Sequence, residues 1–227
     1  AGIPRTATQA AEQWTMSRYR GVFVTVEGIE GVGKSKQLKR LVDVIEGAGV
    51  PDDVTREPGG TQTAEVKRKI LIEHGAEPMP ASAEVLLMFA ARALHVENRI
   101  RPALEAGTWV ICDRFVDASR AYQGGGRGVP EPTIEALADL SLNGLEPDVT
   151  LLLDAPVETG LARAARRGAK DRFEAEEQAF FERVRAAYLS LVHAEPERFI
   201  VIDAAGDIET VGLAVEEAAK NILKHFK

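Results

Sequence analysis

Cysteine is almost missing from this 227-residue chain: Cys112 is the only one, so no disulfide can close within it. It ends the apolar run Trp109-Val110-Ile111-Cys112, where a free thiol packs as a small hydrophobe. No base partner marks it as a nucleophile, and a reducing cytoplasm fits such cysteine usage. Long apolar runs are missing too; none reaches the ~20 residues of a membrane-spanning helix. An excess of positive charge is also lacking. Lys and Arg total 28 against 35 Asp and Glu, a net charge of −7. That balance argues against general affinity for a nucleic-acid backbone and leaves room only for a local basic pocket. Repeats, low-complexity tracts and an interdomain linker are absent. What is present is 45% hydrophobic and 28% charged, an ordinary globular composition over a length that suits one domain with a sizeable core.

The most informative stretch is Gly28-Ile29-Glu30-Gly31-Val32-Gly33-Lys34-Ser35, which fits the phosphate-binding pattern G-x-x-x-x-G-K-[ST]. Val22-Phe23-Val24-Thr25-Val26 before it reads as a buried strand, and Gln37 to Ile45 after it has helical apolar spacing. A strand feeding a glycine loop that opens a helix aims several N–H groups, and the helix dipole, at one anion. Lys34 would reach the β- and γ-phosphates of a nucleotide and Ser35 would ligate Mg²⁺. A bare strand-to-helix turn would not require the complete motif.

The remaining chain alternates strands and helices. Strand candidates are Asp53 to Thr55, Trp109 to Cys112, Val149 to Leu153 and Phe199 to Ile202. Helical stretches run over 61–72, 82–106 with Ser82 as N-cap, 117–123, 130–143, 158–166, 175–194 and 207–226. The pattern predicts an α/β fold: a three-layer sandwich with a central five-stranded parallel sheet flanked by helices, of the P-loop NTPase type. Residues 19–227 form one domain in this reading. Residues 1–18 are read as a disordered or appended extension outside it: a start at Met16 would make Ala1 to Thr15 a leader or an added remnant, and an N-terminal Ala equally fits removal of an initiator Met. In such sheets ligands gather beyond the C-terminal strand ends. Three further motifs lie there: Thr55-Arg56-Glu57-Pro58-Gly59-Gly60-Thr61, Asp113-Arg114-Phe115 and Asp154-Ala155-Pro156. One such cluster could be a solvated turn; three at the P-loop end argue for a site.

These segments, with Phe89-Ala90-Ala91-Arg92, Tyr122-Gln123-Gly124-Gly125-Gly126-Arg127-Gly128 and Asp171-Arg172-Phe173-Glu174, resemble the bacterial thymidylate kinases from about Tyr19 to near the C-terminus. The resemblance implies transfer of the γ-phosphoryl group of ATP to dTMP, with Mg²⁺, in a cytoplasmic homodimer without nucleic-acid or membrane partners. It places ATP on Gly28 to Ser35. It makes Asp113 an organiser of the Mg²⁺ region, through water, and Arg114 the grip on the acceptor phosphate, a task its planar donors suit. Arg68 matches an arginine near the acceptor phosphate and sugar, although alone it reads as a solvated helix charge. Phe89 and Arg92 match residues that hold thymine, and their spacing puts them on one helix face; the plainer reading makes Phe89 core and Arg92 surface. Ser119 and Gln123 match the base edge. Tyr122 matches a ring near the sugar that would refuse a 2′-hydroxyl. Pro58 would line the base pocket and Glu30 would face the 3′-hydroxyl.

Arg163, Arg166, Arg167, Lys170 and Arg172 make a dense basic segment, interrupted by Gly168. It reads either as a charged helix end or as a lid, at about 163–175, that closes over ATP. Some relatives carry an arginine inside the P-loop where this chain has Gly31, so the lid would supply that charge; by matching, Arg163 and Arg167 are the catalytic candidates. Lys36 stands where the family usually has Ser or Thr. Two other readings stay open: a kinase for another nucleoside monophosphate, and a P-loop regulatory module that binds without transferring. A guanine-specific Asn-Lys-x-Asp segment is absent. The apolar helix over 82–106 is the candidate dimer surface, or else faces its own core.

Overall fold

The computed structural model describes residues 19–73, 77–167 and 172–227. The extension 1–18 and the lid positions Gly168, Lys170 and Asp171 lie outside them. The element order is β1 (Phe23–Glu27), α1 (Lys34–Gly47), β2 (Asp52–Arg56), α2 (Gln62–Ile72) and α3 (Ala81–His95), which continues through a π-helical turn, Val96–Ile100, into α4 (Arg101–Glu105). Then come β3 (Trp109–Asp113), α5 (Val116–Ser119), a second π-helical segment, Arg120–Gly126, and α6 (Glu131–Leu142). The chain ends with β4 (Val149–Asp154), α7 (Val157–Ala164) with a 3₁₀ turn Ala165–Arg167, α8 (Gln178–Ala194), β5 (Phe199–Asp203) and α9 (Ile208–Phe226).

All five strands are parallel, in the order β2-β3-β1-β4-β5. Strand alternation sorts the core into two layers. Phe23, Val110 and Cys112 join Val85, Phe89, Ile134 and Leu142 of α3 and α6 on one face. Val24, Val26 and Ile111 join Leu41 and Ile45 of α1 and Val215 and Ile222 of α9 on the other. Apolar surface is thereby removed from water on both sides of the sheet. Cys112 is fully buried and free, as its apolar run predicts, and burial pushes its thiol pKa well up.

Side-chain caps mark two of the helix starts. Thr61 caps α2 by accepting from the Ala64 N–H, and Asp207 caps α9 by accepting from Glu209 and Thr210. Ser82 is not a cap: α3 starts one residue earlier, with Pro80 in the capping position and no side-chain cap bond. The 82–106 helix is present as one uninterrupted helical run over 81–105, with the π turn inside it. The 117–123 stretch is one short helix followed by the longer π-helical segment. Its glycines have a packing reason. A Cβ at Gly125 would fall 2.6 Å from Ala187 Cβ, so only glycine lets α8 approach this closely.

Candidate functional site

β1 delivers the P-loop to the C-terminal edge of the sheet. Gly28, Gly31 and Gly33 take positive φ values of 136°, 75° and 90°, which L side chains rarely adopt. α1 starts at Lys34 without a side-chain cap, so its first N–H groups are left to an anion. Lys34 is 9% exposed and donates to the Gly28 and Ile29 carbonyls, each at 3.0 Å. Burial, and then the charge of Arg114, push its pKa down. Ser35 and Lys36 are exposed and line the cleft that opens above the loop.

The second cation comes from β3. Arg114 follows the strand with φ 68°, a left-handed geometry that turns its side chain back across the P-loop. It donates to Gly28 O at 2.9 Å, to Glu30 Oε1 at 2.6 Å and to the Tyr122 hydroxyl at 2.9 Å. Its guanidinium carbon lies 4.7 Å from the Tyr122 ring centroid. Tyr122 in turn donates to Glu30 Oε1 at 3.1 Å. Glu30, Arg114 and Tyr122, named separately from the sequence, thus form one cluster. Burial pushes the Tyr122 pKa well up, which keeps its hydroxyl a donor.

Beneath this cluster lie two residues the sequence reading missed. Glu27, the last residue of β1, accepts from the Phe115 N–H and the Tyr188 hydroxyl, both at 2.7 Å. Tyr188 also receives Arg114 Nη1 at 3.3 Å. Burial first, then repulsion from Asp117, push the Glu27 pKa up to about 7. The available signal was a carboxylate at the end of an apolar strand, next to the P-loop.

The cleft holds about 790 Å³, room for a sizeable ligand. Pro58, Arg68, Met88, Ala118, Tyr122, Gln123 and Phe173 form one part of its wall, and Arg68 donates to the Pro58 carbonyl at 2.8 Å. Phe89, Arg92 and Ser119 do not line it. They lie in the layer behind, 3%, 1% and 0% exposed. Arg92 stacks on Phe89 and donates to Glu57 Oε2 at 2.7 Å, Ser119 Oγ at 3.0 Å and Phe115 O at 3.0 Å. Glu57 also contacts His95 Nδ1 at 2.9 Å, making a buried pairing of charges with every partner close. The plainer reading of this pair holds for Phe89, which is core, and fails for Arg92, which is among the most buried side chains.

The opposite wall comes from β5. Ala204, Gly206, Asp207 and Ile208 line the cleft beside the P-loop, in a loop no motif had marked. Arg163 holds that loop, donating to the carbonyls of Ala204, Ala205 and Gly206 at 2.6, 2.7 and 2.9 Å. Arg166 is exposed, and the Arg167 side chain lies outside the described residues. Arg172 turns away from the P-loop, to Leu71 O and Glu84.

Asp113 Oδ1 is buried at the cleft without a hydrogen-bond partner among the described residues. An orphaned carboxylate oxygen in the cleft that Ser35 also lines suits a hard cation. No cluster of three His, Cys, Asp or Glu side chains occurs among the described residues. Mg²⁺ is such a hard cation: it takes one or two protein oxygens and completes its shell with phosphates and water.

The family model of the thymidylate kinases matches residues 26–214. A thymidylate kinase of Alkalilimnicola ehrlichii is 52% identical over 200 residues, which cover 88% of this chain and 92% of the relative. One of Pseudomonas putida is 50% identical over 206 residues, covering 91% of this chain and 100% of the relative. The crystal structure of the thymidylate kinase of Ehrlichia chaffeensis superposes with a TM-score of 0.67 at 32% identity, covering 86% of this chain and 96% of that one. The P-loop, the Asp-Arg pair at the end of β3 and the glycine-rich π segment all lie within the matched span, and the chain belongs to the thymidylate kinase family.

Proposed function

We propose that the cleft is where this chain, a thymidylate kinase, transfers the γ-phosphoryl group of ATP to dTMP, giving dTDP and ADP for nucleotide biosynthesis. The observation that carries the reading is the convergence of Lys34 and Arg114, from two different strand exits, on the Gly28 carbonyl. Two cations at one point suit a reaction that must bring two anions together and neutralise the charge between them. The acceptor is already an anionic phosphate, so no strong general base is needed.

Each residue then has a task. The N–H groups of Gly28 to Ser35, with Lys34, hold the phosphates of ATP. Arg114 exchanges part of its hydrogen bonding with Glu30 for the acceptor phosphate, and Glu30 turns to the sugar 3′-hydroxyl. Tyr122 bounds the sugar against a 2′-hydroxyl. Pro58 and Gln123 frame the base and Arg68 holds the acceptor side, while Phe89, Arg92 and Ser119 support the base from the layer behind. Mg²⁺ would be held by Ser35 and, through water, by Asp113; when bound it supplies charge neutralisation on the phosphates. Arg163 shapes the loop after β5, the wall beside the phosphates. Arg167 is the arginine assigned to the transfer itself, within a lid spanning about 163–175.

The homodimer and the cytoplasmic location are part of the same proposal. Val66 and Ile70 of α2 and Leu86 of α3 are 60%, 51% and 57% exposed, on two helices that pack against each other. Such apolar exposure supports a helical two-fold interface, and light scattering would measure twice the monomer mass. No helix among the described residues is long and apolar enough to cross a membrane.

The test of the activity is ADP release with ATP, Mg²⁺ and a panel of nucleoside monophosphates. The reading requires dTMP to be turned over best. Preference for another monophosphate would keep the Lys34–Arg114 chemistry and remove the base assignments. Nucleotide binding without transfer would leave a regulatory module.

A further inference from the structure

Glu84, in the first turn of α3, is 1% exposed and belongs to no motif named above. Its Oε1 accepts from Gln123 Nε2 at 2.8 Å. Its Oε2 lies 2.6 Å from Arg172 Nη1, and Arg127 Nε stands 3.4 and 3.3 Å from the two oxygens. A carboxylate paired with two guanidinium groups offers acceptors only. Gln123 can therefore meet it with its NH₂ end alone, which turns its carbonyl oxygen the other way. That oxygen, Gln123 Oε1, is buried and has no hydrogen-bond partner among the described residues, while Gln123 lines the cleft. An unsatisfied buried acceptor is costly until a donor reaches it.

We propose that Glu84 is a positioning residue for base specificity: it locks the Gln123 amide with its oxygen toward the cleft, so the cleft takes a pyrimidine that donates from ring N3. A thymine-type imide has its only base N–H there. A cytosine-type base offers a lone pair at the same place, and two acceptors would face each other without a proton between them. Arg127 and Arg172 keep Glu84 in its acceptor role, and their guanidinium groups lie over Phe180 and Phe173 respectively. The proposal rests on the placement of Gln123 at the base edge.

The experiment compares kcat/KM for dTMP and dCMP in the wild type, Glu84→Gln, Gln123→Leu and the double variant, with ATP in each case. A glutamine at 84 both donates and accepts, so the Gln123 amide is free to turn over. Glu84→Gln should lower kcat/KM for dTMP roughly tenfold, narrow the dTMP/dCMP ratio by at least as much, and leave KM for ATP unchanged. In the Gln123→Leu background the same change should cost dTMP almost nothing further. An unchanged ratio, or losses that multiply in the double variant, overturns the proposal, because a purely structural role gives that result. Glu84→Asp keeps the charge for Arg127 and Arg172 while shortening the reach to Gln123. It carries the test if Glu84→Gln fails to fold, and an unchanged ratio there overturns the proposal equally. A wild type that turns over dTMP while these ratios stay fixed defeats the role of Glu84 alone; a wild type inactive on every monophosphate defeats the functional reading with it.

Discussion

Glu27 gives a pH signature that can be worked out from its surroundings. It is fully buried at the end of β1, with the Phe115 N–H on one oxygen and the Tyr188 hydroxyl on the other. Both donors favour the carboxylate, as does Arg114, but burial and Asp117 outweigh them and push its pKa from 4.5 up to about 7. Between those values the folded protein keeps a proton that the unfolded chain has released. The stability Glu27 contributes is therefore complete below pH 4.5 and is lost as pH rises through about 7. At 1.36 kcal/mol for each pH unit the loss comes to roughly 3 kcal/mol. Glu27→Gln has no proton to lose and should remove that slope, whatever it does to stability at a single pH. Urea unfolding of wild type and variant from about pH 4.5 to about pH 8 measures it. The wild type should lose roughly 3 kcal/mol relative to the variant across the window, and parallel curves would refute the reasoning.

Other expectations follow from the same cluster and its walls. Lys34→Met should lower kcat by roughly 10²–10³, the scale for removing one positioned donor of transition-state charge, with the fold intact by circular dichroism. Tyr188→Phe cuts the link between Glu27 and Arg114 and should raise KM for dTMP a few-fold while leaving KM for ATP alone. Arg163→Ala frees the three carbonyls of the loop after β5; steady-state kinetics should show a rise of about five- to tenfold in KM for ATP, with kcat changed less. Gly31→Ala should lower both the melting temperature and ATP affinity, since its φ is 75° and a Cβ there would overlap the Gly160 carbonyl.

Four strands were legible as short apolar runs, three of them beside a motif, and such runs have few alternatives once helices separate them; β2, Asp-Asp-Val-Thr-Arg, is polar and was marked by the motif after it. The P-loop was legible because a glycine pattern specifies backbone conformation directly. Glu30, Arg114 and Tyr122 were reached through the resemblance, and the structure joins them with hydrogen bonds that spacing could not foretell. Their partners escaped for a physical reason. Tyr188 meets Glu27 across 161 residues of chain, and a tyrosine on an apolar helix face reads as core from sequence alone. The loop after β5 presents mostly backbone and small side chains to the cleft, so composition carries no mark of it. Arg92 illustrates the opposite difficulty. A lone arginine in an apolar helix reads as exposed until Glu57, 35 residues earlier, is seen to meet it. The π-helical turns were invisible because they differ from an α-helix by one residue of register, which hydrophobic periodicity barely resolves.

Gly31 joins the P-loop to the basic segment in a way the motif alone does not suggest. Its neighbour is Gly160, and each would place a Cβ against the other's loop: Gly31 against the Gly160 carbonyl, Gly160 against the Glu30 carbonyl at 2.5 Å. Two glycines thus let α7 lie directly on the loop that holds the phosphates. A side chain at position 31 would have to displace α7, and α7 is the helix that carries Arg163 and leads to Arg167. An arginine inside the loop and an α7 packed this close are therefore alternatives in this fold. Arg163, on that helix, has its guanidinium already held by the carbonyls after β5.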